Sequence, residues 1–197
     1  MSDYERRVTV ERLELRAGDG ERPRLIGFAS VYNSKSLDLG GFVEIVRPGA
    51  FKRTLAAGAD VRALVNHDPS LIIGRTKAGS LILTDDDRGL RVEITPPDTQ
   101  TGRDIVENVR NGNIDGMSFG FITRKDAWDV GVTPALRELL DVELLDVSPV
   151  TYPAYPKTDI ALRALEQARS TTPGVVQEAL SGADIDRRRR LRLAELG

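Results

Sequence analysis

Hydrophobic and polar residues alternate with a period of two along much of this chain, and that period predicts strands. Residues 8–15 carry Val8, Val10, Leu13 and Leu15 among charges. The phase slips once, between Val10 and Leu13, so a strand with a bulge is expected there. Residues 24–32 form a second strand through Leu25, Ile26, Phe28 and Val31, with Gly18 and Gly20 marking the hairpin turn between the two. A polar loop over 34–41 leads to a short strand over 42–46. Further strands are expected over 61–65, 72–77, 81–84, 90–95, 118–123 and 142–150, with 136–140 either a helical turn or a strand.

The helical period is rarer. Pro48 opens one short helix with Phe51, Leu55 and Ala56 inward and Gly58 at its end. Residues 99–111 form a second, with Thr101 as N-cap, Ile105, Val106 and Val109 on one face, and Asn111-Gly112-Asn113 stopping it. About eight strands with two short helices predict a mainly β chain with α insertions (α+β), closed or nearly closed into a barrel. The character changes after Pro156. Residues 160–169 form a short helix, 170–174 a linker, and 175–196 a helical stretch containing Arg187-Arg188-Arg189-Arg190. The division expected is a domain over 1–160 and a basic helical tail over 161–197.

Composition narrows the chemistry. Of 197 residues, 40% are hydrophobic and 29% charged, enough apolar material for one core. The net charge of -2 gives no general attraction to nucleic acid or membrane, and 5% aromatic content provides no base-stacking platform. No stretch approaches the roughly 18 apolar residues of a membrane span. The charged opening Met1-Ser2-Asp3-Tyr4-Glu5-Arg6-Arg7 is unlike a signal peptide, so a cytoplasmic protein is expected. There is no cysteine, which excludes disulfides and a thiolate nucleophile. With a single histidine as well, a zinc site would need an unusually carboxylate-rich shell, so neither metal nor organic cofactor is expected.

That histidine is His67, in Val65-Asn66-His67-Asp68, and a serine framed by glycines stands in Gly116-Met117-Ser118-Phe119-Gly120-Phe121. A serine hydroxyl becomes a useful nucleophile when a nearby base takes its proton, and imidazole titrates in the right range. A third group must orient the ring. The acids for that role lie in Asp141-Val142-Glu143-Leu144-Leu145-Asp146-Val147-Ser148. On a regular strand Glu143 and Asp146 face opposite sides, so only one can serve unless a bulge intervenes. Asp68 is a poorer choice, being adjacent to the ring it would orient. Met117, Phe119 and Phe121 read as the buried face of the serine's strand. Asp85-Asp86-Asp87-Arg88-Gly89 lacks calcium-loop spacing and reads as a solvated turn.

Several blocks together resemble the prohead (capsid maturation) protease family of tailed phages, related to assemblin, the herpesvirus maturation protease. They are Gly27-Phe28-Ala29-Ser30-Val31-Tyr32-Asn33, Glu44-Ile45-Val46-Arg47-Pro48-Gly49-Ala50-Phe51, Val65-Asn66-His67-Asp68-Pro69 with Ile73-Gly74-Arg75-Thr76, the Ser118 block, and Leu145-Asp146-Val147-Ser148-Pro149-Val150 continuing to Pro156. The resemblance implies a β-barrel of about seven to eight strands with surrounding helices, assemblin-like. It implies a serine endopeptidase that cleaves scaffold or the scaffolding segment of the major capsid protein, and often itself, inside the immature capsid in the host cytoplasm. His67 is then the general base and Ser118 the nucleophile. The herpesvirus relatives use a second histidine as third member, where this chain has none; Asp146 is preferred, with Glu143 as the alternative. The herpesvirus relatives also use arginines after the third member to support the oxyanion, and none lies between Asp146 and Lys157; the donors stay open, and backbone amides would serve at about 3 kcal/mol each. A homodimer is a further expectation, because the herpesvirus relatives work as dimers. Two rival readings compete: a non-enzymatic capsid assembly or scaffold protein, and a metal-dependent hydrolase using His67 with Asp68 and Asp85–Asp87.

Overall fold

The computed structural model describes residues 4–9, 12–16, 22–152 and 159–171. Among them are ten strands in two sheets. The larger sheet contains β1 (Tyr4–Thr9), β4 (Phe42–Val46), β5 (Arg62–Val65), β6 (Asp68–Arg75), β9 (Gly116–Asp129) and β10 (Ala135–Val150). The smaller contains β2 (Glu14–Arg16), β3 (Arg24–Val31), β7 (Leu81–Asp85) and β8 (Gly89–Ile94), ordered β2-β3-β8-β7. The described residues also include three α-helices, α1 (Lys52–Ala56), α2 (Gln100–Arg110) and α3 (Asp159–Thr171), and a short 3-10 turn over Thr76–Ala78.

The chain is therefore mainly β with a few helices; where a barrel of seven to eight strands was expected, the described residues form two sheets that share one apolar interior, and no closed barrel is found among them. Among the described residues no ladder joins them. The phase slip between Val10 and Leu13 accounts for part of this difference. It is not a bulge within one strand: β1 belongs to the larger sheet and β2 to the smaller. Leu25 and Val92 of one sheet, and Phe119, Phe121, Leu144 and Val147 of the other, share one buried cluster. The expected hairpin at Gly18 and Gly20, and the tail beyond residue 171, lie outside the described residues.

β10 is the organising strand. One edge pairs antiparallel with β9 over nearly its whole length. Its other edge takes β4 in parallel near the start and β5 in parallel at Asp146 and Val147. β1 then lies antiparallel on the far side of β9. Both β9 and β10 run longer than the alternation suggested, because their shared outer half is rich in charged, partly exposed residues such as Arg124, Lys125 and Asp126. Residues 136–140 are strand.

Two helix boundaries also shift. α1 begins at Lys52, after a turn at Pro48-Gly49-Ala50, and buries Thr54, whose hydroxyl donates to the Val142 carbonyl at 2.9 Å. α2 is capped by Thr99, whose Oγ1 accepts from the Gly102 amide at 3.2 Å, rather than by Thr101. α3 crosses the expected division at residue 160. Its Leu165 packs with Leu39, Phe42 and Ala135 in a small second cluster.

A charged network is buried beside β1. Arg7 donates to Glu44 at 2.8 Å and to Glu5 at 2.6 Å, and Arg137 donates to Glu5 at 2.7 Å, Glu44 at 3.0 Å and Asp126 at 2.8 Å. Burial alone would push the Glu5 carboxyl up, but Arg137 and Arg7 hold it below its ordinary value. These pairs tie β1, β4, β9 and β10 together, and removing one partner would leave an uncompensated buried charge.

Candidate active site

Ser118 lies on β9 between two buried neighbours that fix its strand. Phe119 stacks on Phe121 with ring centroids 4.9 Å apart and meets Phe51 edge-on at 5.5 Å. Met117, Phe119 and Phe121 therefore point into the core, so Ser118, Gly120 and Ile122 point to the opposite face. On β10, Ser148 is opposite Ser118, Asp146 opposite Gly120, and Glu143 opposite Ile122.

That register contains a bulge. Leu144 pairs with Phe121 and Asp146 with Gly120, leaving Leu145 as the extra residue. The extra residue reverses the phase of β10. Leu144 faces the core before it, and Asp146 and Ser148 face the serine after it. By the same bulge Glu143 comes to the serine's face, so facing alone does not separate the two acids. Position does: Glu143 sits farther along the strand and accepts from Arg124 Nε at 2.9 Å.

His67 arrives from the turn between β5 and β6. Asn66 and His67 both have positive φ, 53° and 59°, a left-handed pair that costs about 1–2 kcal/mol per residue. The end of β10 holds this turn. The Asn66 amide donates to the Pro149 carbonyl at 3.0 Å and the His67 amide to Ser148 Oγ at 3.2 Å. Asn66 Oδ1 accepts from the Thr151 amide at 2.9 Å, and Asn66 Nδ2 donates to Thr151 Oγ1 at 3.2 Å. Such local strain persists only where neighbours overdetermine it.

The result is a linear relay. His67 Nε2 is 2.6 Å from Ser118 Oγ, and His67 Nδ1 is 2.5 Å from Asp146 Oδ1. With Nδ1–H donated to the carboxylate, Nε2 is the lone-pair acceptor for the serine hydroxyl. Ser148 Oγ donates to Asp146 Oδ1 at 3.1 Å, and Tyr4 Oη donates to Asp146 Oδ2 at 2.6 Å. Burial pushes the Asp146 carboxyl up, yet the hydrogen bonds from His67, Tyr4 and Ser148 leave it below its ordinary value. The Tyr4 phenol is pushed up to about 12 by burial and by Asp146, so it stays a neutral donor at physiological pH. Ser118 has 0% of its surface exposed, so a peptide reaches it only by parting the side chains around it.

Gly120 makes the arrangement possible. A Cβ there would lie 2.7 Å from Tyr4 Cε2 and well under 3.0 Å from both Asp146 Oδ2 and Tyr4 Oη. The other acids considered from the sequence are engaged elsewhere. Asp68 Oδ1 accepts from the Ser70 amide at 2.8 Å, and Asp86 Oδ1 caps the β7–β8 turn through the Arg88 amide at 2.8 Å. Tyr4, Ser148, the Asn66–Thr151 clamp and the role of Gly120 escaped the sequence reading. Ser148 had a signal, standing two residues after Asp146 on one strand. Tyr4 had none, because the alternation was first detected at Val8.

A strand-borne serine, one imidazole and a buried carboxylate, hydrogen-bonded in that order, can draw a proton from the hydroxyl and hold the resulting imidazolium. The sequence matches the family model described as Caudovirus prohead serine protease over residues 10–172, and the chain belongs to that family. It is 30% identical over 167 residues to the Prohead protease of Enterobacteria phage HK97, a match covering 82% of this chain and 69% of that protein. Among solved structures, the bacteriophage T4 capsid assembly protease aligns at a TM-score of 0.48 and 13% identity, over 76% of this chain and 99% of that one.

Proposed function

We propose that this chain is a serine endopeptidase, built on an assemblin-like framework, that matures phage procapsids from inside the immature capsid. Its substrates are scaffold polypeptide or the scaffolding segment of the major capsid protein. Ser118 attacks the peptide carbonyl, His67 takes the hydroxyl proton and returns it to the leaving amine, and Asp146 holds the ring. Water then releases the acyl group by the same route in reverse. No step needs a metal or an organic cofactor.

The observation that carries this reading is the Ser118–His67–Asp146 relay, assembled from three distant segments around the chain's one histidine. Membership of the family described as Caudovirus prohead serine protease supports a substrate within the procapsid. The reading extends to self-cleavage within the tail beyond the domain and to action as a homodimer.

Co-expression with the phage's capsid protein, followed by intact-mass measurement of both chains, tests it. The wild type should yield shortened capsid protein and lose tail mass. Ser118→Ala should give particles whose capsid protein remains full length. Processing that continues in Ser118→Ala would overturn the assignment.

A further inference from the structure

Asp146 orients His67 only if the carboxylate itself is held, because a carboxyl group turns freely about its last torsion. Oδ1 carries His67 and Ser148. Oδ2 accepts from the Tyr4 hydroxyl at 2.6 Å. We propose that Tyr4 is a positioning residue for the reaction, its hydroxyl fixing through Oδ2 the carboxylate that orients His67. This rests on the roles given above to Ser118, His67 and Asp146.

Three observations support it. Tyr4 reaches the site from β1 in a defined register, in which Tyr4 opposes Ile122, Arg6 opposes Gly120 and Val8 opposes Ser118. That register is fixed on the other face of β1 by Glu5 and Arg7, both within the buried charged network. The space for the phenol exists because residue 120 has no side chain. A tyrosine serving only as packing would not need its hydroxyl on a buried carboxylate, nor a missing Cβ on the neighbouring strand where its ring lies. As a neutral donor, the phenol withdraws charge from Asp146, so the Asp146–His67 pair binds its proton less tightly than it would without Tyr4.

The single histidine makes this directly measurable. In the full chain carrying Ser118→Ala, the His67 ring-proton resonance is titrated by NMR with tyrosine, phenylalanine or 3-fluorotyrosine at position 4. Tyr4→Phe should move the titration midpoint up by about half a unit to one unit. Fluorotyrosine, a stronger donor, should move it down. In the Ser118 enzyme, Tyr4→Phe should lower kcat roughly ten- to a hundredfold with KM within about twofold, and shift the acid limb of the kcat/KM profile upward. An unmoved midpoint in both substituted proteins would overturn the proposal, as would a fall in kcat with an unchanged acid limb. A wild-type chain that cleaves no capsid protein, while the midpoints still move in opposite directions, would sink the peptidase reading and leave the hold of Tyr4 on Asp146 standing.

Discussion

Replacing Gly120 by alanine adds one methyl group where it does the most local harm. Gly120 does not have a positive φ, so the backbone accepts alanine. On that ground alone the change would stabilise the fold by about 0.4–1 kcal/mol, through the unfolded chain. The contacts decide otherwise. The new carbon would lie 2.7 Å from Tyr4 Cε2, and ordinary contact begins at 3.4 Å. The ring must therefore retreat by about 0.7 Å, and the two oxygens by roughly 1 Å, at an overpacking cost of about 1–3 kcal/mol. Because these atoms are the ends of side chains, they can yield without unfolding the sheet. The net loss of stability should then be only about 1–2 kcal/mol. Catalysis has no such tolerance: a shift of about 1 Å in the group that orients the base should cost about a hundredfold in rate, roughly 2.7 kcal/mol of barrier. Gly116→Ala is the internal control, since its Cβ would meet Val150 in ordinary contact, Cγ2 at 3.7 Å and the carbonyl oxygen at 3.9 Å. Single-turnover cleavage of capsid protein, with urea denaturation in parallel, gives both quantities. Gly120→Ala cleaving within about threefold of Gly116→Ala would refute the reasoning, because misplacement on that scale would then be harmless.

Other outcomes follow from the same structure. Asn66→Ala removes both side-chain bonds to Thr151 and puts alanine in a left-handed conformation, so urea denaturation should show a loss of about 1–3 kcal/mol; a loss below about 0.5 kcal/mol would mean the clamp does not hold the turn. The Asp146 carboxyl is held below its ordinary value, so its ionised form contributes stability above the unfolded carboxylate range near pH 4, and that contribution disappears as pH falls through the folded value. Urea midpoints for Asp146→Asn should accordingly change less than wild type between about pH 5 and about pH 2, and parallel curves would count against the depressed carboxyl. Arg137→Ala leaves Glu5 and Glu44 buried with one arginine between them, and should cost about 3–5 kcal/mol in equilibrium denaturation. A loss under about 1 kcal/mol would show that the remaining charges find water or other partners.

The sequence made some of this legible and hid the rest for identifiable reasons. A chain with one histidine leaves one choice of imidazole, and a serine framed by glycines beside Met117 and Phe119 marks its own strand. The structure brings His67, Ser118 and Asp146 together. Alternation would let only one of Glu143 and Asp146 face the serine; the extra residue at Leu145 brings both there, and the choice then rests on position along β10, which a period of two does not encode. Tyr4 depends on which strand lies beside β9, a long-range pairing that no local pattern encodes. The division into two sheets was disguised because a strand change and a bulge produce the same slip of phase. The outer half of β9 was hidden by charge, since Arg124, Lys125 and Asp126 break the alternation there and Arg124 pairs across the strands with Glu143.

The partnership of Tyr4 with Asp146 spans 142 positions along the chain. A ribosome adds about 5–20 residues each second, so the carboxylate emerges on the order of ten seconds after the phenol that steadies it. Until β10 has been made, Ser118 has neither an oriented base nor a finished sheet around it. On the proposed mechanism, reactivity therefore waits for the last strand of the larger sheet, an order of events written into strand connectivity.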